Sequence, residues 1–159
     1  MLFTRYQNNQ MLIGQRVSSA IIGFWNQYVD PTQFSNSWRI LQPLVSGIVD
    51  THHQMSAADA SNYYGLSRAV AGFYGATVPG VRIDSDYLNH VVNVMGNGQF
   101  YHHLKTNDEL DASWLARDAL AGASLRLVMN GGRDTVTRAS VGDEVASGWE
   151  RIVEAEPCS

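Results

Sequence analysis

Apolar side chains recur at three- and four-residue steps along most of this chain, the spacing that gathers them on one face of an α-helix. From Tyr6 onward, Ile13, Val17, Ala20, Ile21, Phe24 and Tyr28 form the first such stripe. Asp30-Pro31 ends it, because the proline ring disfavours helical geometry in the residue before it. A second helix is expected to start around Ser35 to Ser37, whose hydroxyls suit the free amides of a first turn. Trp38, Leu41, Val45, Ile48, His52 and Met55 then follow in alternating steps, and Ala58, Tyr63, Leu66, Val70 and Phe73 carry the stripe onward. This is a packing seam of coiled-coil character. It predicts one long helix over about 37–74, bent rather than broken by Pro43 near its start. At 1.5 Å per residue such a helix is roughly 55 Å long, which implies an elongated molecule.

Gly75 and Val78-Pro79-Gly80 interrupt the pattern. Asp84 or Asp86 can cap a third helix containing Leu88, Val91, Val92 and Met95, and Gly96-Asn97-Gly98 marks a turn or kink. The stretch 99–105 is compatible with another short helix. Asp108 can cap a fourth main helix with Leu110, Trp114, Ala121, Leu125 and Val128 on one face. Asn130-Gly131-Gly132 is expected to stop that helix, since glycine reaches the left-handed conformation without steric cost. Asp134 then caps a fifth helix running to about Ser147. After Gly148, the segment Trp149-Glu150-Arg151-Ile152-Val153-Glu154 alternates roughly in polarity and reads as one short strand. A lone strand needs a partner, from later residues or from another chain. The predicted fold class is mainly α, an elongated helical bundle over 1–148 with a C-terminal strand in 149–159.

With 159 residues, 45% of them hydrophobic and 16% charged, the chain suits one globular domain with a real core. No apolar run approaches the ~20 residues of a membrane span. No basic segment precedes an apolar stretch at the N-terminus, so no signal peptide is expected. The net charge of −4 gives no global attraction to nucleic acid, so contact with DNA has no support from charge. Cys158 is the single cysteine, which excludes an internal disulfide.

The histidines are the first candidates for chemistry. His52-His53 and His102-His103 are adjacent pairs, and neighbours on a helix point about 100° apart, a poor arrangement for chelation. No metal-binding spacing occurs, and no metal or cofactor is expected. His52 lies on the apolar seam, as a core or interface residue. No serine sits in a nucleophile turn, and Asp50 and His52 do not face each other on a helix. The acidic neighbours of Cys158, Glu154 and Glu156, would raise its pKa rather than activate it. Gly131-Gly132-Arg133 lacks the spacing and the lysine of a phosphate loop. Arg133, at a tight turn, is placed to pair with an acidic side chain across the fold.

Several short motifs occur in a particular order. They are Ser37-Trp38-x-x-Leu41-x-Pro43-Leu44-Val45, Ser56-Ala57-Ala58, Tyr63-Tyr64-x-x-x-Arg68, Gly131-Gly132-Arg133-Asp134-Thr135, Gly148-Trp149 and Pro157-Cys158. In this order they resemble the MuF-like minor head proteins of tailed bacteriophages, a group labelled capsid maturation protease in many actinobacteriophages. The resemblance covers most of the chain. It implies a helical virion protein that docks, in several copies, on portal protein and other head proteins inside the capsid at the portal vertex, assembled in the host cytoplasm. There it would aid head assembly, DNA packaging or ejection. The alternative it implies is a capsid maturation protease, or its N-terminal portion, acting on capsid or scaffold protein. In that group the pattern continues past Pro-Cys to a second cysteine, so the resemblance implies a further C-terminal segment, missing here or separate. The residues singled out as interface or motif are His52, from its place on the apolar seam, and, from the resemblance, Trp38, Tyr63, Tyr64, Arg68, Gly131, Gly132, Arg133, Asp134, Trp149, Pro157 and Cys158; no catalytic residue can be assigned.

Overall fold

Three long helices supply most of the architecture. The computed structural model describes residues 1–75 and 78–144. Helix α1 (Leu2–Tyr28) buries Ile13, Val17, Ile21 and Trp25. It ends where Val29 turns extended, and Asp30 then accepts hydrogen bonds from the Thr32 amide and hydroxyl. A single 3-10 turn, Pro31–Gln33, leads into α2 (Phe34–Val70), which runs through Pro43 without interruption. Pro43 is the tenth residue of the helix, so its missing amide deprives the Arg39 carbonyl of its usual partner, yet the helix continues. The serines expected to cap α2 do not cap it. Ser37 instead accepts from the Asp30 amide at 2.9 Å and so pins the α1–α2 turn.

The buried face of α2 departs from the expected seam. Trp38, Leu41 and Val45 are buried as predicted, but the stripe then continues through Val49, His53, Ser56, Ala57, Ala60, Tyr64 and Ser67. Ile48 and His52 are only half-buried, and Met55, Leu66 and Val70 are exposed. A straight helix of 3.6 residues per turn drifts against a 3.5-residue repeat by about 20° every seven residues. Steps of four therefore overtake the alternating pattern, and His53 takes the core position expected for His52.

Tyr63, near the end of α2, stacks on Tyr6 of α1 with ring centroids 4.5 Å apart. The start of α5 (Glu109–Val141) lies at the opposite end, where the Trp25 indole donates to Ser113 Oγ at 2.9 Å. The chain between α2 and α5 must therefore travel back along the whole bundle. Residues 78–84 do so without regular structure, held by Ser61 to the Val78 carbonyl and by the Val81 amide to Thr135 Oγ1. A continuous helical rod follows: α3 (Ser85–Asn93), a π turn at Val94–Gly98, and α4 (Gln99–Leu104). Asp84 caps this rod by accepting from the Tyr87 amide, and Leu88, Val92 and Phe100 face the core. The result is an up-down-up-down bundle whose third limb is helical only in its second half.

Gly96-Asn97-Gly98, read as a turn or kink, lies within the π turn Val94–Gly98. Glycine at 96 has a steric reason: a Cβ there would overlap the ring of Trp38, whose indole also donates to Asn93 Oδ1 at 3.0 Å. Phe34, Trp38, Trp25 and Phe100 form an aromatic cluster at this end of the core, with Phe34 and Phe100 stacked at 3.8 Å.

Helix α5 carries the largest correction. Asp108 caps it, accepting from the Asp111 amide as expected. The helix then runs unbroken through Asn130-Gly131-Gly132-Arg133-Asp134, so Gly131 and Gly132 do not stop it and Asp134 caps nothing. Among the described residues only Gly72 and Gly75 adopt positive φ. The expected stripe is also turned: Ala121 and Val128 are buried and Leu125 half-buried, while Leu110 and Trp114 are exposed. In their place Ala112, Ser113, Ala116, Leu120, Ala123, Ser124, Leu127, Gly131, Gly132 and Thr135 face neighbours. α5 touches α1, α2 and the third limb, and a helix enclosed on several sides is served by small residues rather than by one apolar stripe. Among the described residues there is no strand. The expected strand, with Trp149, Pro157 and Cys158, lies outside them.

Candidate functional site

At Gly131 and Gly132 the three long helices meet through polar groups rather than hydrocarbon. Gln10 of α1 donates through Nε2 to the Ser56 carbonyl (3.0 Å) and to Asp59 Oδ2 (3.1 Å). Its Oε1 accepts from the Ser56 hydroxyl, which in turn accepts from the Gly132 amide at 2.9 Å. Asn9 donates to the other Asp59 oxygen at 2.8 Å. Thr135 donates to the Gly131 carbonyl at 2.7 Å and receives the Val81 amide. A buried amide or hydroxyl without a partner costs about 1–3 kcal/mol, so these mutual bonds make burial of Gln10, Ser56 and Thr135 tolerable.

The glycines are what let the layer close. A Cβ on Gly131 would lie 2.9 Å from the His53 carbonyl oxygen and 3.0 Å from its ring. One on Gly132 would strike the Gln10 carboxamide and stand 2.9 Å from Ser56 Oγ. His53 is held against this notch, 3% exposed, with Nδ1 lacking a hydrogen-bond partner among the described residues. Burial pushes its pKa below the usual histidine value, opposed by the nearby carboxylates of Asp50 and Asp134. Ser56 and His53 sit one turn apart, yet the Ser56 hydroxyl is fully buried and engaged with Gln10 and Gly132. That arrangement cements helices.

A second junction joins the ends of α2 and α5. Asp143 Oδ2 accepts from the Tyr64 hydroxyl at 2.8 Å and from Arg68 Nη1 at 3.0 Å, and Arg68 also lies over the Phe73 ring. Burial, then the hydrogen bond to Asp143, pushes the Tyr64 pKa up to about 12. Tyr64 and Arg68, grouped in the sequence by their spacing, thus act together on a carboxylate that sequence reasoning missed. Tyr63 points the other way, toward Tyr6, whose pKa burial and Asp59 also raise to about 12.

The remaining motif residues are dispersed. Trp38 is a core residue at the aromatic end. His52 is bonded through Nδ1 to the Ile48 carbonyl at 2.7 Å, within its own helix. Arg133 and Asp134 are exposed on α5. Arg133 borders a groove of about 600 Å³ between α1 and α5, whose apolar lining includes Phe3, Tyr6, Met11, Tyr63 and Met129. His102 and His103 lie together on α4, their rings 5.2 Å apart. Among the described residues no three His, Cys, Asp or Glu side chains gather as a metal site.

The opposite end carries an exposed apolar spot. Leu110, Trp114 and Leu115, on the first two turns of α5, are each more than 40% exposed. Beside Leu110 a hollow of about 620 Å³ is lined by Pro31, Thr32, Leu104, Asp108 and Glu109.

Fold and geometry define an all-α bundle whose long helices lock through polar contacts and leave apolar surfaces at both ends. The chain belongs to the VG15 protein family, whose pattern matches residues 2–159; it is a phage protein. Comparison with curated proteins and with solved structures finds no match. No helix among the described residues is long and apolar enough to cross a membrane.

Proposed function

We propose that this phage protein is a structural component of the head, a minor capsid protein that docks on the portal vertex inside the capsid and aids head assembly or DNA packaging and ejection. The observation that carries this reading is the exposed Leu110–Trp114–Leu115 spot at one end of the bundle. Trp114 and Leu110 stand one turn apart on a helix anchored by its Asp108 cap. Exposed apolar clusters on an otherwise packed surface mark protein contacts, and tryptophan is enriched where such contacts are strongest. Asp108, Glu109 and Asp111 lie beside the spot in sequence, while Asp118 is paired with Arg117. The partner surface it fits is apolar with a basic rim. Membership of a viral family and the order of motifs shared with MuF-like minor head proteins support portal protein as that partner.

The test is co-expression with the portal and major capsid proteins of the same phage. The wild-type chain should co-purify with portal, and Trp114→Ala should weaken the complex by roughly 30-fold or more, the effect of losing about 2 kcal/mol at an interface centre. Thermal stability of the variant should be nearly unchanged. Portal binding that ignores Trp114 would refute the assignment of the surface. Cleavage of capsid or scaffold protein on co-expression would favour the maturation protease instead.

A further inference from the structure

Two hollows adjoin at the Trp114 end of the bundle. One, of about 620 Å³, lies beside Leu110. The other, of about 330 Å³, reaches Phe34, Ser35, Phe100 and Tyr101, and in it Ser35 and Tyr101 share a hydrogen bond at 2.6 Å. Pro31, Thr32, Leu104 and Glu109 line both, so the two form one recess between the 3-10 turn, α4 and the start of α5. The charged side chains of its lining are both carboxylates, Asp108 and Glu109. Asp108 is committed to the helix cap, where it accepts from the Asp111 amide. Glu109 is exposed, and its carboxylate has no hydrogen bond or ion pair among the described residues. Of the cations nearest in sequence, Lys105 lines neither hollow and Arg117 is bonded to Asp118 and Asn26.

We infer that this recess is a socket for an arginine side chain carried on an apolar segment of the docking partner, with Glu109 receiving the guanidinium. The socket rests on the reading of Leu110, Trp114 and Leu115 as the docking surface, into which its wall continues through Leu110. A cation on a hydrocarbon stem suits walls that are apolar up to an acidic edge. Pro31, Leu104 and Leu110 cover the stem while the charged head stays at the carboxylate. Arginine suits it better than lysine, because the guanidinium is planar, weakly hydrated and forked to match the two oxygens of a carboxylate. An acidic or wholly apolar segment would leave Glu109 covered and unpaired, which discriminates against it.

The full chain, isotope-labelled, is titrated with the blocked tripeptide leucyl-arginyl-leucine amide and with its citrulline analogue, in which a neutral urea replaces the guanidinium. The arginine peptide should shift the NMR signals of the Leu104, Glu109 and Leu110 amides and leave those of Tyr6 and Met129 in place. Citrulline and Glu109→Gln should each weaken binding by roughly two- to fivefold, the effect of one solvent-accessible ion pair, and together by no more than either alone. Asp111→Asn, which alters an acid of the same turn that lines neither hollow, should change nothing. No shift at the recess, equal binding of the two peptides, or an equal loss in Asp111→Asn would overturn the socket. Co-purification with portal protein separates it from the docking reading. Peptide binding at the recess by a chain that ignores portal keeps the socket and removes portal as the partner. A portal complex weakened by Trp114→Ala but indifferent to Glu109→Gln keeps the docking surface and removes the socket.

Discussion

Replacing Gly132 with alanine is the most direct test of the polar layer. In most helix interiors this change is favourable, by about 1 kcal/mol of helix propensity. Here the new methyl would stand 2.8 Å from Gln10 Cδ and 2.9 Å from Ser56 Oγ. Both atoms are fixed: Gln10 by its bonds to Ser56 and Asp59, and Ser56 by Gln10 and the Gly132 amide. Crowding a packed site costs about 1–3 kcal/mol, and displacing Gln10 forfeits two hydrogen bonds at about 1 kcal/mol each. Set against the propensity gain, the net loss is about 2–4 kcal/mol. For a chain of this size each kcal/mol lowers Tm by roughly 2–4 °C, so a fall of about 10 °C is expected in thermal unfolding followed by circular dichroism. Gly23→Ala is the matched control, because a Cβ there meets nothing within 4 Å; it should raise stability by up to about 1 kcal/mol. A Gly132→Ala protein as stable as wild type would refute the claim that this glycine exists for helix contact.

Other outcomes follow from the same geometry. His53 has a folded-state pKa below its unfolded value of about 6.5, chiefly through burial. The unfolded chain therefore takes up the proton first, and stability contributed by neutral His53 is present above pH 6.5 and is lost as the pH falls below it. Denaturant unfolding between pH 7 and 5 should show this decline, and His53→Gln should flatten it; equal slopes would remove His53 as the cause. At the α2–α5 junction, Arg68→Ala removes the partly buried guanidinium that donates to Asp143. A loss of about 1–3 kcal/mol is expected, between the values for exposed and buried pairs. In the same region Tyr64→Phe should remove one of the two phenols titrating near pH 12 in ultraviolet absorbance, leaving that of Tyr6, and an undiminished amplitude there would contradict the bond to Asp143.

Legibility in the sequence varied with how much of a residue's role is local. The helix starts at Asp84 and Asp108 were readable because a cap is a bond between a side chain and an amide two or three residues on. The first helix and the Asp30-Pro31 turn were readable for similar reasons. Gly131-Gly132 was misread as a stop because the local rule for paired glycines concerns left-handed backbone. Its actual cause is the approach of His53 and Ser56, more than seventy positions away in the chain. One local sign was present: the glycines continue a run of alanine and serine at helical spacing, the mark of a helix packed closely on several sides. His53 was passed over for His52 because a strict alternation of three and four was projected along a helix that does not supercoil enough to keep it. Gln10, Asp59 and Asp143 had no sequence signal, and Ser56 figured only as a motif letter with no role, as a polar residue that bonds across the core looks like one that faces water.

The sequence by itself determined the all-α class, the long second helix, the caps at Asp84 and Asp108 and the membership of a viral family, all of which rest on near-neighbour signals or on motif order. Only the tertiary structure decided what the glycines are for, which histidine is buried and where apolar side chains stay exposed. Those properties depend on which helix face meets which. That choice is made by the irregular return limb, whose extended first half and π turn bring residues distant along the chain to within hydrogen-bond range.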